Sequence, residues 1–522
     1  MTDIPAAPTS ASLANSANCR DKTVKRKEIT NMKHTANTMK HTANTMKHVA
    51  VLAVALALSV PASVCAKCFD DDRERPDLVF GVVSDVHMCA SKPQNRVFLE
   101  NALRRLASEG VDAVLCAGDI AHSGLISELE VFAETWNRVF PDNRAPDGGK
   151  VELLLVTGNH DIDAWRGRWD GFSEEQLAAQ CFWHGDNPEK TWRRLFGQKW
   201  EPVWRREVKG YTFLGAQWRS VKPPVEDFVA EIAPTLDPCK PFFYLQHEHP
   251  KETCFGMYCV VEGRGEARRA LSPFPNAVAL SGHSHCALSD ERAVWQGQFT
   301  SIGAGCTHEP ALAVHSPDYA NCSESYFRPE DAGKTMARLA NEIDGREAGG
   351  CFLLVGVFRD HLVVHRLSAA FDEPVGPAWT IPLPARADGP FDFSRRAAEA
   401  PPPQFPPNAS VIVECHPDGH PLEGPDHRGE PCVSVSFPHA KTAGGYRVFD
   451  YEIQAECKRM RTILYRILAP GFAFPEKYAD LPGTCLFLRS ELPADRTIRF
   501  TVTPRDCFGG RGRPLAVEWK MP

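Results

Sequence analysis

Leu78-Val-Phe-Gly-Val-Val83, running directly into Ser84-Asp85-Val86-His87, decides how the rest of the chain is read. Six uncharged, Val-rich residues make a buried strand, and the abrupt polar end puts Asp85 and His87 where that strand stops. Alternation places both side chains on one side of an extended segment. The same arrangement recurs downstream. Asp112-Ala-Val-Leu-Cys116 runs into Ala117-Gly118-Asp119, and Val151-Glu-Leu-Leu-Leu-Val156 into Gly158-Asn159-His160-Asp161. Phe242-Phe-Tyr-Leu-Gln246 is followed by His247-Glu248-His249, and Ala277-Val-Ala-Leu-Ser281 by Gly282-His283-Ser284-His285.

Between these runs the apolar spacing turns helical, over Arg96 to Ala107 and again over Ile126 to Val139. Strands alternating with helices predict an α/β domain with a largely parallel sheet. Two further β runs, Cys351 to Phe358 and His361 to Leu367, read as antiparallel strands completing the same domain, bounded at residues 67–385. In open α/β sheets ligands bind beyond the carboxyl ends of the strands, so the five polar clusters converge on one crevice.

The residue types indicate what that crevice holds. Carboxylate, amide and neutral imidazole donors suit Zn, Fe or Mn better than Ca or Mg. The Asp, Asn and His side chains of the five clusters are too many for one tetrahedral ion with an open position. Two divalent or transition metal ions sharing a carboxylate, about 3.5–4 Å apart, use them all, and a bridging water between them loses a proton to become a nucleophile. His247 follows its strand directly and is preferred as ligand. His249 has the same parity and is assigned to a supporting contact behind the ligands or to the outer pocket. A lone Gly-Asp is usually a turn and a lone His pair usually structural. Five clusters in order after five strands are harder to dismiss.

Asp-x-His, Gly-Asp, Gly-Asn-His-Asp, a strand-ending His and Gly-His-x-His, in this order, resemble the calcineurin-like metallophosphoesterase family from Asp85 to His285, and more weakly to about Pro384. The resemblance implies two packed mixed β-sheets flanked by helices, and phosphoester hydrolysis without a phosphoenzyme. It implies that Asp85, His87 and His285 bind one metal, that Asp119 bridges, and that Asn159, His247 and His283 bind the second. His160 would stand over the leaving group as general acid, oriented by Asp161. Purple acid phosphatases carry a Tyr three residues after the bridging Asp, where this chain has His122. Protein Ser/Thr phosphatases resemble Gly-Asp-x-x-Asp-Arg-Gly, against Gly118-Asp-Ile-Ala-His-Ser-Gly124 here. What remains is a secreted phosphodiesterase-like branch, with the substrate and the choice between monoester and diester left open.

Around this domain the sequence implies further parts. Residues 1–48 are polar and partly repeated, a disordered leader or a start upstream of the true Met39 or Met46. Residues 49–66 read as a signal peptide: Lys40 and Lys47, an apolar run from Val49 to Val60, then small residues to Ala66. That run is shorter than the roughly 20 residues of a membrane span, so export to the periplasm or the extracellular space is expected. Residues 386–408 read as a Pro-rich linker, and 409–522 as a small antiparallel β-sandwich resembling a fibronectin type III-like module.

With 59 Lys+Arg against 66 Asp+Glu, no cationic surplus exists for a nucleic-acid backbone. The 18 cysteines, two of them (Cys19 and Cys65) in the leader, fall far below a disulfide scaffold's share of about 8–10%. The expected partner is a phosphoester substrate. The competing reading is a degenerate esterase that binds a glycan or protein through its C-terminal sandwich. Trp165, Trp169, Phe182, Trp183, Trp192, Phe196, Trp200 and Trp204 are assigned to core packing ahead of a pocket wall.

Overall fold

The computed structural model describes residues 68–69, 75–162, 171–218, 223–254, 264–308, 349–420, 429–458 and 462–522. The leader and signal segment, with Trp165 and Trp169, lie outside these. Strand alternation sets the layers. In β1 (Leu78–Val83), β2 (Ala113–Ala117) and β3 (Glu152–Val156), the residues Leu78, Phe80, Val82, Leu115, Leu154 and Val156 face one core. Val83, Val114, Cys116, Leu153 and Leu155 face a second core on the opposite side. Helices Pro93–Glu109 and Ile126–Val139 cover that second face. Gly81 lets the first of them approach closely, because a Cβ there would sit 2.3 Å from Leu106.

The remaining strands of the α/β part are β4 (Val203–Val208), β5 (Tyr211–Ala216), β6 (Phe242–Leu245), β7 (Ala277–Ser281), β8 (Val294–Gln296), β9 (Thr300–Gly303), β10 (Cys351–Val357), β11 (His361–Ser368) and β12 (Trp379–Pro382). They form two six-stranded mixed sheets, ordered β12-β11-β10-β1-β2-β3 and β4-β5-β6-β7-β9-β8. Strands β1, β2 and β3 run parallel, as do β5, β6, β7 and β9. The sheets pack face to face, with Phe80 of one against Phe213 (5.6 Å) and Phe243 (4.9 Å) of the other. This is the fold class expected. The hairpin β4–β5 was not anticipated: charges at Arg205, Arg206 and Glu207 hide its alternation. Phe182 and Trp192 are buried in the helix-covered core, with Trp200 packed against it, while Trp183 is exposed.

The C-terminal strands β13 (Ile412–His416), β14 (Cys432–Phe437), β15 (Val448–Glu456), β16 (Ile463–Leu468), β17 (Gly483–Leu488), β18 (Thr497–Asp506) and β19 (Leu515–Lys520) make two antiparallel sheets, β13-β14-β17 and β16-β15-β18-β19. Their inner faces share a core that includes Val433, Phe487, Tyr451, Ile453 and Phe500. The stretch expected as linker contains helix Phe393–Glu399, capped by Asp392 Oδ1 accepting from Arg395 N–H at 2.9 Å. Arg396 of this helix is buried and pairs with Glu291, which also meets Arg366 at 2.8 Å. Composition revealed the prolines but not this tertiary ion pair. Among the described residues no helix is long and apolar enough to cross a membrane.

Candidate metal centre

Parallel pairing of β1 with β2 continues past both strand ends: Asp85 N–H donates to Gly118 C=O (3.0 Å) and His87 N–H to Asp119 C=O (2.9 Å). The second sheet joins through His283 N–H on Asp85 Oδ2 (3.0 Å), and within that sheet Gly282 N–H donates to His247 C=O (2.9 Å). The five loops therefore meet. Asp85, His87, Asp119 and His285 bring one donor atom each within 4.8 Å of one another, and so do Asp119, His247 and His283. Asp119 belongs to both groups. Its Oδ2 is buried, accepts no well-aligned hydrogen bond, and lies 3.5 Å from His87 Nε2 and 3.2 Å from His247 Nε2. Asn159 Oδ1 stands 3.1 Å from His247 Nε2.

These spacings fit cations. Donors bound to one ion at about 2.0–2.2 Å lie roughly 3–3.5 Å apart along the edges of its coordination shell. His87 Nε2 and His285 Nε2 face each other at 3.2 Å, an arrangement that needs a proton or a cation between them. His247 Nδ1–H donates to Ala117 C=O at 2.7 Å, which aims Nε2 into the cluster. Burial alone would raise the Asp85 pKa, but His285 and His247 hold it well below the usual carboxylate range. Burial and the adjacent His247 push His283 down to about 3, so it offers a lone pair. Burial would likewise lower His247, yet the Asp119 and Asp85 carboxylates outweigh it and raise it to about 10.

The backbone is bent to build this arrangement. Asp85, His87, Asp119, His283 and His285 all have positive φ, between 47° and 66°. Such conformations cost L-residues of the order of 1–3 kcal/mol each and collect at functional sites. The motif glycines make room for side chains. A Cβ on Gly158 would lie 2.2 Å from Asp119 Oδ1, and one on Gly282 2.4 Å from Asp85 Oδ2.

Residues 78–287 match the family model of calcineurin-like phosphoesterases. They form a calcineurin-like phosphoesterase domain. Among solved structures, a dimetal phosphatase from Danio rerio is 11% identical, over 59% of this chain and 99% of that one, with a TM-score of 0.35. A predicted phosphoesterase from Streptococcus pneumoniae TIGR4 is 12% identical over 59% and 98%, with a TM-score of 0.25. The anchor of the inner membrane complex of Plasmodium is 10% identical over 58% and 88%, with a TM-score of 0.32. No curated protein matches the chain.

In the phosphoesterase domain His160 lies at the half-buried rim, 4.4 Å from the His87 ring centre. Its orientation differs from expectation. Asp161 does not hold the His160 ring, because its carboxylate accepts from the backbone N–H groups of Ile120 (3.3 Å), Ala121 (2.7 Å) and Gly158 (2.8 Å). Burial, helped by Asp119, raises the Asp161 pKa to about 7. Asp161 thus ties the Asp119 loop to the Asn159 loop. His160 Nδ1–H donates to His122 C=O at 2.7 Å.

Of the two histidines after β6, His247 reaches the donor cluster, while His249 is buried with Nδ1 on Ser281 Oγ at 2.7 Å. Two residues beyond the expected set join the site. His122, noted only as a departure from relatives, has its Nδ1 3.3 Å from His87 Nδ1. His308 packs edge-on to His87 and His285, with ring centres 4.7 and 5.0 Å away. It follows β9, whose short Thr-Ser-Ile-Gly sequence gives little strand signal.

Proposed function

We propose that the chain is an exported dinuclear-metal phosphohydrolase of the phosphodiesterase-like branch. The supporting observation is Asp119, whose unsatisfied carboxylate oxygen is common to two donor groups. In this reading Asp85, His87 and His285 hold one ion, Asn159, His247 and His283 the other, and Asp119 both, the ions being Mn, Fe or Zn. Two ions so placed supply Lewis acidity to phosphoryl oxygens and acidify water.

The chain's own groups do the rest. Asn159, His160, His283 and His285 form the half-buried side open to a substrate. His160, anchored at Nδ1 by the His122 carbonyl, would in its protonated form donate from Nε2 to the departing oxygen. Ser84 Oγ donates to Asp85 Oδ2 at 2.6 Å and keeps that carboxylate oriented. Export rests on the order of charge, apolar run and small residues over 40–66. The fibronectin type III-like assignment of 409–522 rests on the two antiparallel sheets.

The test is hydrolysis of bis(p-nitrophenyl) phosphate and of p-nitrophenyl phosphate by chelator-stripped protein with and without added Mn. Metal-dependent turnover, greater on the diester and lost in Asp119→Asn, is expected. Turnover by stripped protein equal to that of the loaded protein would overturn the reading.

A further inference from the structure

We infer that His308 is an additional protein ligand of the first metal position, a deepening that rests on the dinuclear reading above. The chain reaches this point by the rule that built the rest of the site: His308 lies just beyond the carboxyl end of β9, a parallel strand next to β7. Its approach is fixed by Thr307, whose N–H donates to Ser84 C=O (2.8 Å) and whose Oγ1 accepts from Ser84 N–H (3.3 Å), so the segment is pinned beside Asp85. Gly350 lets it lie flat, since a Cβ there would sit 1.9 Å from Thr307 O.

His308 is 6% exposed, and its ring stands nearly perpendicular to those of His87 (86°) and His285 (89°). His87, His285 and His308 each offer a ring nitrogen, all within 4.8 Å of one another. Two donors on opposite sides of an ion with bonds of about 2.1 Å are about 4.2 Å apart, so the spacing of the trio is near that of donors sharing one ion. His87 and His285 belong both to this trio and to the group with Asp85 and Asp119, so His308 would bring this position to five protein donors. The Asn159–His247–His283 position has fewer once Asp119 is shared. The second position would therefore keep more coordination places free for a substrate oxygen.

The experiment is calorimetric titration of metal-free protein with Mn²⁺, using wild type, His308→Phe, His308→Gln and, as a marker for the other position, His283→Ala. Wild type takes up two ions. His308→Phe is expected to weaken one of them by at least tenfold and leave unchanged the one that His283→Ala weakens, while His308→Gln, which keeps a donor, falls between. If a variant fails to fold, an anomalous-scattering map of Mn-loaded wild type decides, with a peak in bonding distance of a His308 nitrogen expected. Two ions bound by His308→Phe as tightly as by wild type, or a map in which His308 touches neither ion, would overturn the assignment alone. Uptake of fewer than two ions by wild type would overturn the dinuclear reading and this inference with it.

Discussion

His247 Nε2 stands 3.2 Å from Asp119 Oδ2 while its Nδ1–H is spent on the Ala117 carbonyl. Without a cation the two form an ion pair: the carboxylates overcome burial and raise the histidine to about 10, while that cation keeps Asp119 low against the same burial. A metal ion at this position must displace the Nε2 proton, so uptake releases a proton and competes with it. Apparent affinity at the second position should fall by about tenfold per pH unit as pH drops from 9 to 6, one proton costing about 1.4 kcal/mol per unit. Calorimetry in buffers of different ionisation enthalpy measures the proton release. A pH-independent affinity would contradict the pairing.

His122 serves two neighbours at once. If His87 presents Nε2 to an ion, its Nδ1 carries the proton and donates to His122 Nδ1 at 3.3 Å. The His122 carbonyl meanwhile holds His160. His122→Phe, which keeps the ring but removes the acceptor, should weaken metal binding by about 10–100-fold. His122→Asn, whose amide oxygen takes the place of Nδ1, should recover most of it. Equal losses in the two variants would show that the ring matters only for packing.

Gly158 is the tightest approach among the motif glycines that involves backbone. A Cβ there meets Asp119 N at 2.6 Å and His247 Nε2 at 2.7 Å as well as the Asp119 carboxylate. Gly158→Ala should displace Asp119 by a sizeable fraction of an ångström, costing about 10²-fold in kcat. Far-UV circular dichroism should stay as in wild type. Near-normal turnover would mean that the loop relaxes freely.

Glu452 carries a pH signature remote from the centre. Burial would raise its pKa, but Arg511, Arg505 and Arg466 lower it below the usual value. A carboxyl depressed on folding stabilises the protein above its unfolded pKa, and that contribution disappears as pH falls through the folded one. Thermal melts of wild type should therefore lose more between pH 5 and pH 3 than those of Glu452→Gln. Parallel curves would remove Glu452 from the acid sensitivity of the sandwich.

The sequence was most readable where period and chemistry agreed. β1 and β7 coincide with their apolar runs because both faces of each are buried, and helix Ile126–Val139 because one stripe of it packs. The strand-end motifs placed Asp85, Asp119 and His283 in one neighbourhood because parallel strands must end on the same side. β4 was missed because Arg205, Arg206 and Glu207 interrupt its apolar pattern, and β8 and β9 because they are only three and four residues long. Asp161 was paired with the wrong partner, since adjacency in sequence says nothing about three backbone N–H groups on two loops. His308 carried no motif, and only the register of β9 brings it in.

An anomalous-scattering map from crystals of the mature chain grown with Mn²⁺ tests the shared carboxylate most directly. The expected result is two peaks about 3.5–4 Å apart, with Asp119 bonded to both. One peak, or two of which Asp119 touches only one, would contradict it.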